Sequence, residues 1–478
     1  MNQFFKVDPE KRFSLLLGPL LFIAVLLLLP NGLFDFKSRA AVATVFWMAC
    51  WWITMPVSVG VTALLPILIN ALFGLVPMES IISKYASEIV ILLLGADLIT
   101  LAWEETGLDR RCAVKALCLI GTSLKQQIIV WFTMSAVLSI FLANAVVCAI
   151  LIPIAFSMLK FAGEGDMSQS KAGPIILSAI AWGSGIGGLG SPLGGSMNLV
   201  AVDYFEDLTG HEFMYIHWVV RLLPVLVVLI AVNVLFLLLV RPKGVSLKGS
   251  RSYFHQLYSE LPSMSRDEKI SGLLFLLAAV LAFARPLYAD LFPDLKPAYL
   301  FLAFGFLTFL LPRKSGGHLL TWAKAEKGVV WGLLYLFAGG LALGTLISDT
   351  GAAHSISAIV TKLPLTGGFG TILLFTAFTV LLAEISSNTA AASISLPVIV
   401  SITQGLGLNP IPYIYLCAAA FNCGYVLPTS IRSIPVGYGV SPKYLFKNGS
   451  ILTISSIVVI TILGFILVTL FGPFFEIA

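Results

Sequence analysis

The chain has 478 residues, of which 58% are hydrophobic and only 11% charged, with a formal net charge of +5. A soluble domain is roughly a quarter charged. A mean hydropathy of +0.97 leaves too few polar residues to cover a globule in water, so the composition excludes a soluble protein.

The N-terminal stretch MNQFFKVDPEKR is short and charged. The apolar run after it lacks a small-residue cleavage site, so it reads as a first span rather than a removed signal peptide. Apolar runs of spanning or near-spanning length follow in order: Phe13–Leu29, Val42–Leu65, Leu222–Val240, Ile270–Ala284, Tyr299–Leu311 and Ile451–Phe471. With broken segments allowed, the pattern gives about ten to twelve spans. The runs are continuous rather than alternating, which excludes a transmembrane barrel. The six cysteines (Cys50, Cys112, Cys118, Cys148, Cys417, Cys423) form no CxxC and mostly lie in apolar segments. They are expected to be small core residues.

With the N-terminus placed in the cytoplasm, most of the 29 basic residues fall on that side, including Arg111, Lys115 and the linker Arg241–Lys269. The other side receives Lys37, Arg39, Lys84, Arg285, Lys296 and Lys362, while Arg221 and Arg432 fall inside or at the edge of apolar segments. This bias orients the N-terminus inward, and an odd span count puts the C-terminal FFEIA outside. The basic residues need no nucleic-acid partner.

Two halves share one register. LLLGADLITLAWEETG (92–107) matches LFAGGLALGTLISDTG (336–351), and ANAVVCAILIP (143–153) matches SNTAAASISLP (387–397), each pair 244 residues apart. The charge map gives the copies opposite topology. Each copy continues to a polar or Gly-rich break, GIGGLGSPLGGSMN (185–198) and LPTSIRSIPVGYG (427–439). Such backbone is tolerated at membrane depth where it lines a cavity or packs on protein. Inverted repeats with interrupted segments are the build of secondary transporters. The two Asn motifs lie midway along Gln126–Lys160 and Phe369–Gln404, which are expected to be re-entrant helical hairpins with the motif at the tip.

A hairpin tip offers free N–H groups and a positive helix end, which favour an anion. Ser387, Asn388 and Thr389 add neutral donors, and Asn144 supplies the matching amide. Arg432 needs an acceptor at membrane depth, and its fork suits a carboxylate. Its alternative is an internal partner, Glu384 being the obvious candidate. For Glu384 itself the alternative is a hydrogen bond to backbone. Two facing half-sites suit a two-ended anion such as a C4 dicarboxylate. Asp97, Glu104, Glu105 and Asp349 read as interface charges, and His354 as a solvated histidine.

The paired Asn motifs, the proline nine residues after each Asn, and the Gly187-Gly188, Gly194, Asn198 pattern resemble the divalent anion:sodium symporter family of di- and tricarboxylate transporters. The resemblance covers nearly the whole chain. It implies an all-α polytopic membrane protein of about eleven helices plus two re-entrant hairpins, working as a homodimer by an elevator motion. The implied substrate site lies between the tips and breaks: Ala143, Asn144 and Ala145; Gly195 and Ser196; Ser387, Asn388 and Thr389; Ile431 and Arg432. Family sodium ions sit behind each tip, which points to Ser139, Asn144 and Gly194 in the first half and Ser386, Asn388 and Ser430 in the second. The implied partition is a scaffold over 1–80, a first repeat over 81–210 (hairpin 126–160, broken span 174–209), and connecting spans over 211–324 with linker 241–269. A second repeat follows over 325–442 (hairpin 369–404, broken span 411–440), with a last span over 443–478.

The chain departs from that family at telling places. The first tip, Ala143-Asn144-Ala145, lacks both hydroxyls. Gly195 stands where a small hydroxyl residue is usual, and Arg432 where the family has a proline. Fewer oxygens and a nearby guanidinium weaken a sodium site. The expectation from the sequence is therefore sodium-independent exchange of C4/C5 dicarboxylates (succinate, malate, fumarate, 2-oxoglutarate) across the plasma membrane. A sodium-coupled symporter is the alternative, and an anion channel a more distant one. No cofactor is implied. No HExxH, GxGD-type aspartate pair or Ser–Lys dyad lies at matched depths, so no enzyme is expected.

Overall fold

The computed structural model describes residues 9–470 apart from 119–120, 248, 315 and 361–364. The expectations for the first eight residues, Lys248, Lys362 and the C-terminal FFEIA lie outside the described residues. The regular secondary structure of the described residues is helical, and pairing between extended segments is limited to the isolated bridges Ser123↔Ser246 and Pro312↔His318. Six helices are long and apolar enough to cross a membrane, and five more are apolar but shorter.

The expected run Val42–Leu65 is not one span. A helix covers Phe36–Thr54, and short helices follow at Val59–Thr62 and Leu65–Phe73. Asp35 starts the first by accepting from the Ser38 N–H at 2.8 Å, an N-cap that satisfies one orphan donor. Met55 ends it in the left-handed region at φ 46°. Pro56 follows at once and bars further helix, a stop that a hydropathy average does not register.

The sequence repeat persists as a repeated order of helices. Glu88–Thr106, Leu108–Leu117, Leu124–Ser139 and Asn144–Phe161 run in the first half. Trp331–Asp349, Ala352–Val360, Phe369–Ile385 and Asn388–Gly405 run in the second. The two Asn-initiated helices have 18 residues each, with Pro153 and Pro397 at the same place inside them. Proline there removes one ladder hydrogen bond, so both helices carry the same built-in interruption.

Each expected hairpin is thus two helices joined at a tip, over 124–161 and 369–405, extending slightly past its expected ends. The first arm Leu124–Ser139 packs on Gly173–Gly187. The corresponding arm Phe369–Ile385 packs on Ile411–Phe421 and on the last helix, Pro442–Leu470. Gly173–Gly190 is the most enclosed candidate span, 94% buried, against 28% for Tyr215–Val240. The first therefore lies in the middle of the protein and the second largely faces lipid.

The first break is shorter than expected. The helix continues to Gly187, two short 3₁₀ turns occupy Gly188–Gly190 and Pro192–Gly194, and helix resumes at Ser196–Thr209. The second break begins earlier than expected, because helix stops at Phe421 and returns only as Ser430–Arg432 and Ser433–Gly437. The linker 241–269 is partly ordered against the first hairpin. It holds a helix at Ser250–Ser259, and Leu247 N–H donates to Thr122 O at 2.8 Å.

Candidate functional site

The two tips differ in how their helix ends are satisfied. Ser387 caps the second arm, its hydroxyl accepting from Ala390 N–H at 3.1 Å. Ala143 occupies the same position in the first half and offers no side-chain cap, so the leading N–H groups of Asn144–Phe161 stay free for another acceptor. Asn144 is half-buried between exposed Ala143 and Ala145, whereas Asn388 and Thr389 are buried. The Asn388 Oδ1 atom is buried with no hydrogen-bond partner.

The halves meet at the breaks. Ser196 Oγ, at the end of the first break, lies 3.1 Å from Thr389 Oγ1 of the second tip. Asn422 Nδ2 donates to Asn198 Oδ1 at 3.1 Å, and Asn198 Nδ2 in turn donates to Gly188 O and Ser191 O at 2.7 and 2.8 Å. Trp182 Nε1 donates across to Tyr425 O at 3.1 Å. The Ser430–Arg432 turn touches the Asn144–Phe161 helix, and the Ile431 side chain packs on the Gly185 face of the first broken segment. Gly195 is buried, and a Cβ there would lie 2.5 Å from the Met197 side chain, so the absent hydroxyl is matched by a methionine in its space.

Arg432 has an internal partner set, and it is not the Glu384 carboxylate. Ala383 and Glu384 end the first arm of the second hairpin, where carbonyls lack intrahelical donors and a cation is favoured. Arg432 Nη2 donates to Ala383 O at 2.9 Å, Glu384 O at 3.3 Å and Thr429 Oγ1 at 2.5 Å. Its Nε donates to Leu427 O at 2.7 Å. The side chain is 1% exposed and Nη1 is buried without a partner, pressed toward Gly424, where a Cβ would come within 2.0 Å. The guanidinium therefore ties the hairpin to the break.

Glu384 completes the same tie in reverse. Its carboxylate accepts from the N–H groups of Tyr425 and Val426, both at 2.8 Å, and from Thr453 Oγ1 at 2.6 Å. The backbone alternative weighed for Glu384 is thus the arrangement found.

Of the residues proposed as sodium ligands, Ser139 and Gly194 are brought together: a Cβ on Gly194 would lie 2.5 Å from Ser139 O and 2.6 Å from Gly188 O. In the second half Ser386 O accepts from Thr429 Oγ1 at 3.3 Å. Ser430 sits in the left-handed region at φ 51°, a costly conformation for serine. Sequence reasoning missed Asn422, Thr429 and Thr453. Asn422 was detectable as a buried-type amide beside Cys423-Gly424, but the surrounding apolar residues drew the break past it. Glu105 pairs with Arg313 at 3.7 Å and with Lys324, as expected of an interface charge. His354 is exposed. Cys112 departs from the core expectation, being exposed on Leu108–Leu117, while Cys118 is half-buried and the other four are buried.

Matched hairpins, each in contact with the broken helix of the other half, define a multi-pass membrane transporter rather than an enzyme. Residues 49–420 match the family model described as CitMHS, citrate transporter, and the chain belongs to that family of transporters, in agreement with its resemblance to the divalent anion:sodium symporters. It is 30% identical to the sodium-dependent dicarboxylate transporter SdcS of Staphylococcus saprophyticus, over 95% of this chain and 91% of that protein. It is 29% identical to SdcS of Staphylococcus aureus, over 98% of this chain and 95% of that protein. Among solved structures, the YdaH transporter of Alcanivorax borkumensis shares the fold, with a TM-score of 0.51 at 12% identity over 83% of this chain and 89% of that one.

Proposed function

We propose that this chain is a sodium-coupled C4/C5 dicarboxylate transporter of the plasma membrane, in place of the sodium-independent exchanger that the sequence suggested. The carrying observation is the buried, unpartnered Asn388 Oδ1. An orphaned amide oxygen is costly unless it meets a donor or a cation, and sodium takes oxygen ligands. A carboxylate cannot satisfy it. Arg432 was the reason to dispense with sodium, but its donors are directed at carbonyls of its own hairpin and break. The similarity to transporters named sodium-dependent points the same way.

In this reading the bare N–H groups of the first tip, Asn144, Ser196, Ser387 and Thr389 hold the substrate carboxylates, with Ala143, Ala145, Gly195 and Ile431 shaping the pocket. Sodium is co-substrate, placed by Asn388, Ser386 and Ser430 behind the second tip and by Ser139, Asn144 and Gly194 behind the first. The hairpins and breaks move against the remaining helices as an elevator within a homodimer, with the N-terminus cytoplasmic and the C-terminus outside.

The test is uptake of labelled succinate into empty proteoliposomes. An inward sodium gradient should drive accumulation that a potassium gradient does not, and Asn388→Ala should remove the sodium dependence. Equal uptake in either salt, with an absolute need for internal dicarboxylate, would restore the exchanger.

A further inference from the structure

A groove of about 930 Å³ lies between the first hairpin and the helices Glu88–Thr106 and Arg266–Phe283, and no residue of the second hairpin or second break lines it. Its walls are Trp103, Leu138, Phe141, Phe275 and Ala279, with Leu273 and Leu276 open to the outside. A second recess of about 330 Å³ adjoins it, sharing Leu108, Cys112 and Met264. This recess is roofed by the ordered linker through Tyr258, Leu261 and Pro262. The two together form one cleft, apolar along its length and basic at its mouth.

Three cations stand at that mouth: Arg111, Lys115 and Lys269. Arg111 is neutralised, its Nε donating to Glu268 Oε1 at 2.6 Å and its Nη2 to Pro262 O at 2.8 Å. Lys115 and Lys269 are exposed and make no ion pair among the described residues. An apolar cleft open to hydrocarbon with uncompensated lysines at its polar end has the shape and charge of a phospholipid.

We propose that this cleft is a binding site for an anionic phospholipid, its acyl chains along Trp103, Phe141 and Phe275 and its phosphate between Lys115 and Lys269. Leu138, Phe141 and Leu142 immediately precede the first tip, so the bound lipid packs on the back of the hairpin that carries Asn144. The site is independent of which ion drives transport.

The experiment uses the full-length protein purified in detergent, titrated with dioleoyl phosphatidylglycerol or dioleoyl phosphatidylcholine and read by native mass spectrometry. Phosphatidylglycerol should bind more tightly by on the order of tenfold or more, since each lysine near an anionic headgroup contributes appreciably. The exposed-site double variant Lys115→Gln/Lys269→Gln should erase that preference while leaving phosphatidylcholine binding as it was. Leu276→Trp, at an open wall position, should weaken both lipids. Equal binding of the two lipids to the wild type, or a preference that survives the double lysine variant, would overturn the proposal. So would efficient crosslinking of Cys112 between two copies in phosphatidylglycerol vesicles, because the cleft would then be covered by protein.

Discussion

Glu384 and Arg432 lie on opposite sides of the joint between the second tip and its break, and each satisfies the other side's backbone. The carboxylate serves two N–H groups and a hydroxyl; the guanidinium serves three carbonyls and Thr429. Leaving such groups unpaired in a buried place costs about 1–3 kcal/mol each. Glu384→Gln keeps the shape but presents an amide NH₂ to an N–H donor. It should lower the melting temperature of the purified protein and abolish uptake together. Arg432→Lys keeps the charge but loses the fork that reaches Leu427 and Ala383 at once. It should destabilise nearly as much as Arg432→Ala, by on the order of 3 kcal/mol. A lysine variant with wild-type melting would show that charge alone suffices. Ala143→Ser tests the asymmetry of the tips. A serine cap on Asn144–Phe161 should stabilise the helix by about 1 kcal/mol while taking up an N–H otherwise free for substrate. Melting temperature should rise and apparent succinate affinity should fall.

At the scale of the elements, the repeat has the same physical content in both halves. Gly95 crosses the backbone of Phe301 and Leu302, where a Cβ would come within 2.4 Å. Its counterpart Gly339 crosses Ala63, with a Cβ at 2.6 Å from the carbonyl oxygen. Small residues at helix crossings let backbones approach, the main source of helix association in lipid. Gly95→Val and Gly339→Val should each push two helices apart and cut the yield of folded protein, read by size-exclusion profile. Gly370→Val, with open space around its Cβ position, should be tolerated. The register that revealed these glycines also revealed both hairpins to within a few residues, because an ungapped repeat writes its spacing directly into the sequence. The breaks were less legible. Phe421 ends a helix because Asn422 turns its amide to Ala418 O and Asn198, a long-range partner that no local pattern contains. The partners of Arg432 were illegible for a different reason. They are mostly backbone carbonyls, which every residue possesses, so only the helix end at Ile385 tells which are free. The sequence's case for sodium independence counted hydroxyls and charges without their directions, and the sodium coupling proposed above rests on those directions.

For the whole molecule, the proposed elevator would have the hairpins pass the helices they pack on. The crossing of Trp331–Asp349 with Asn388–Gly405 is a close one that such a motion would use. A Cβ on Gly340 would lie 2.4 Å from Ser393 Oγ and 2.7 Å from Ser393 Cβ, and that hydroxyl is buried with no partner. A surface of glycine and an unbonded serine offers neither a knob nor a hydrogen bond to break as one helix moves along the other. Gly340→Val places a branched side chain in that path. Its expected signature is a split. The maximal rate of sodium-driven uptake should fall by about tenfold or more, equivalent to roughly 1.4 kcal/mol of added barrier. The concentration of succinate that half-maximally stabilises the protein against heat should change little, because the tips and breaks are untouched. Loss of the stabilisation together with the rate would mean that this crossing holds the binding site in shape, and the elevator reading would then lose its sliding surface.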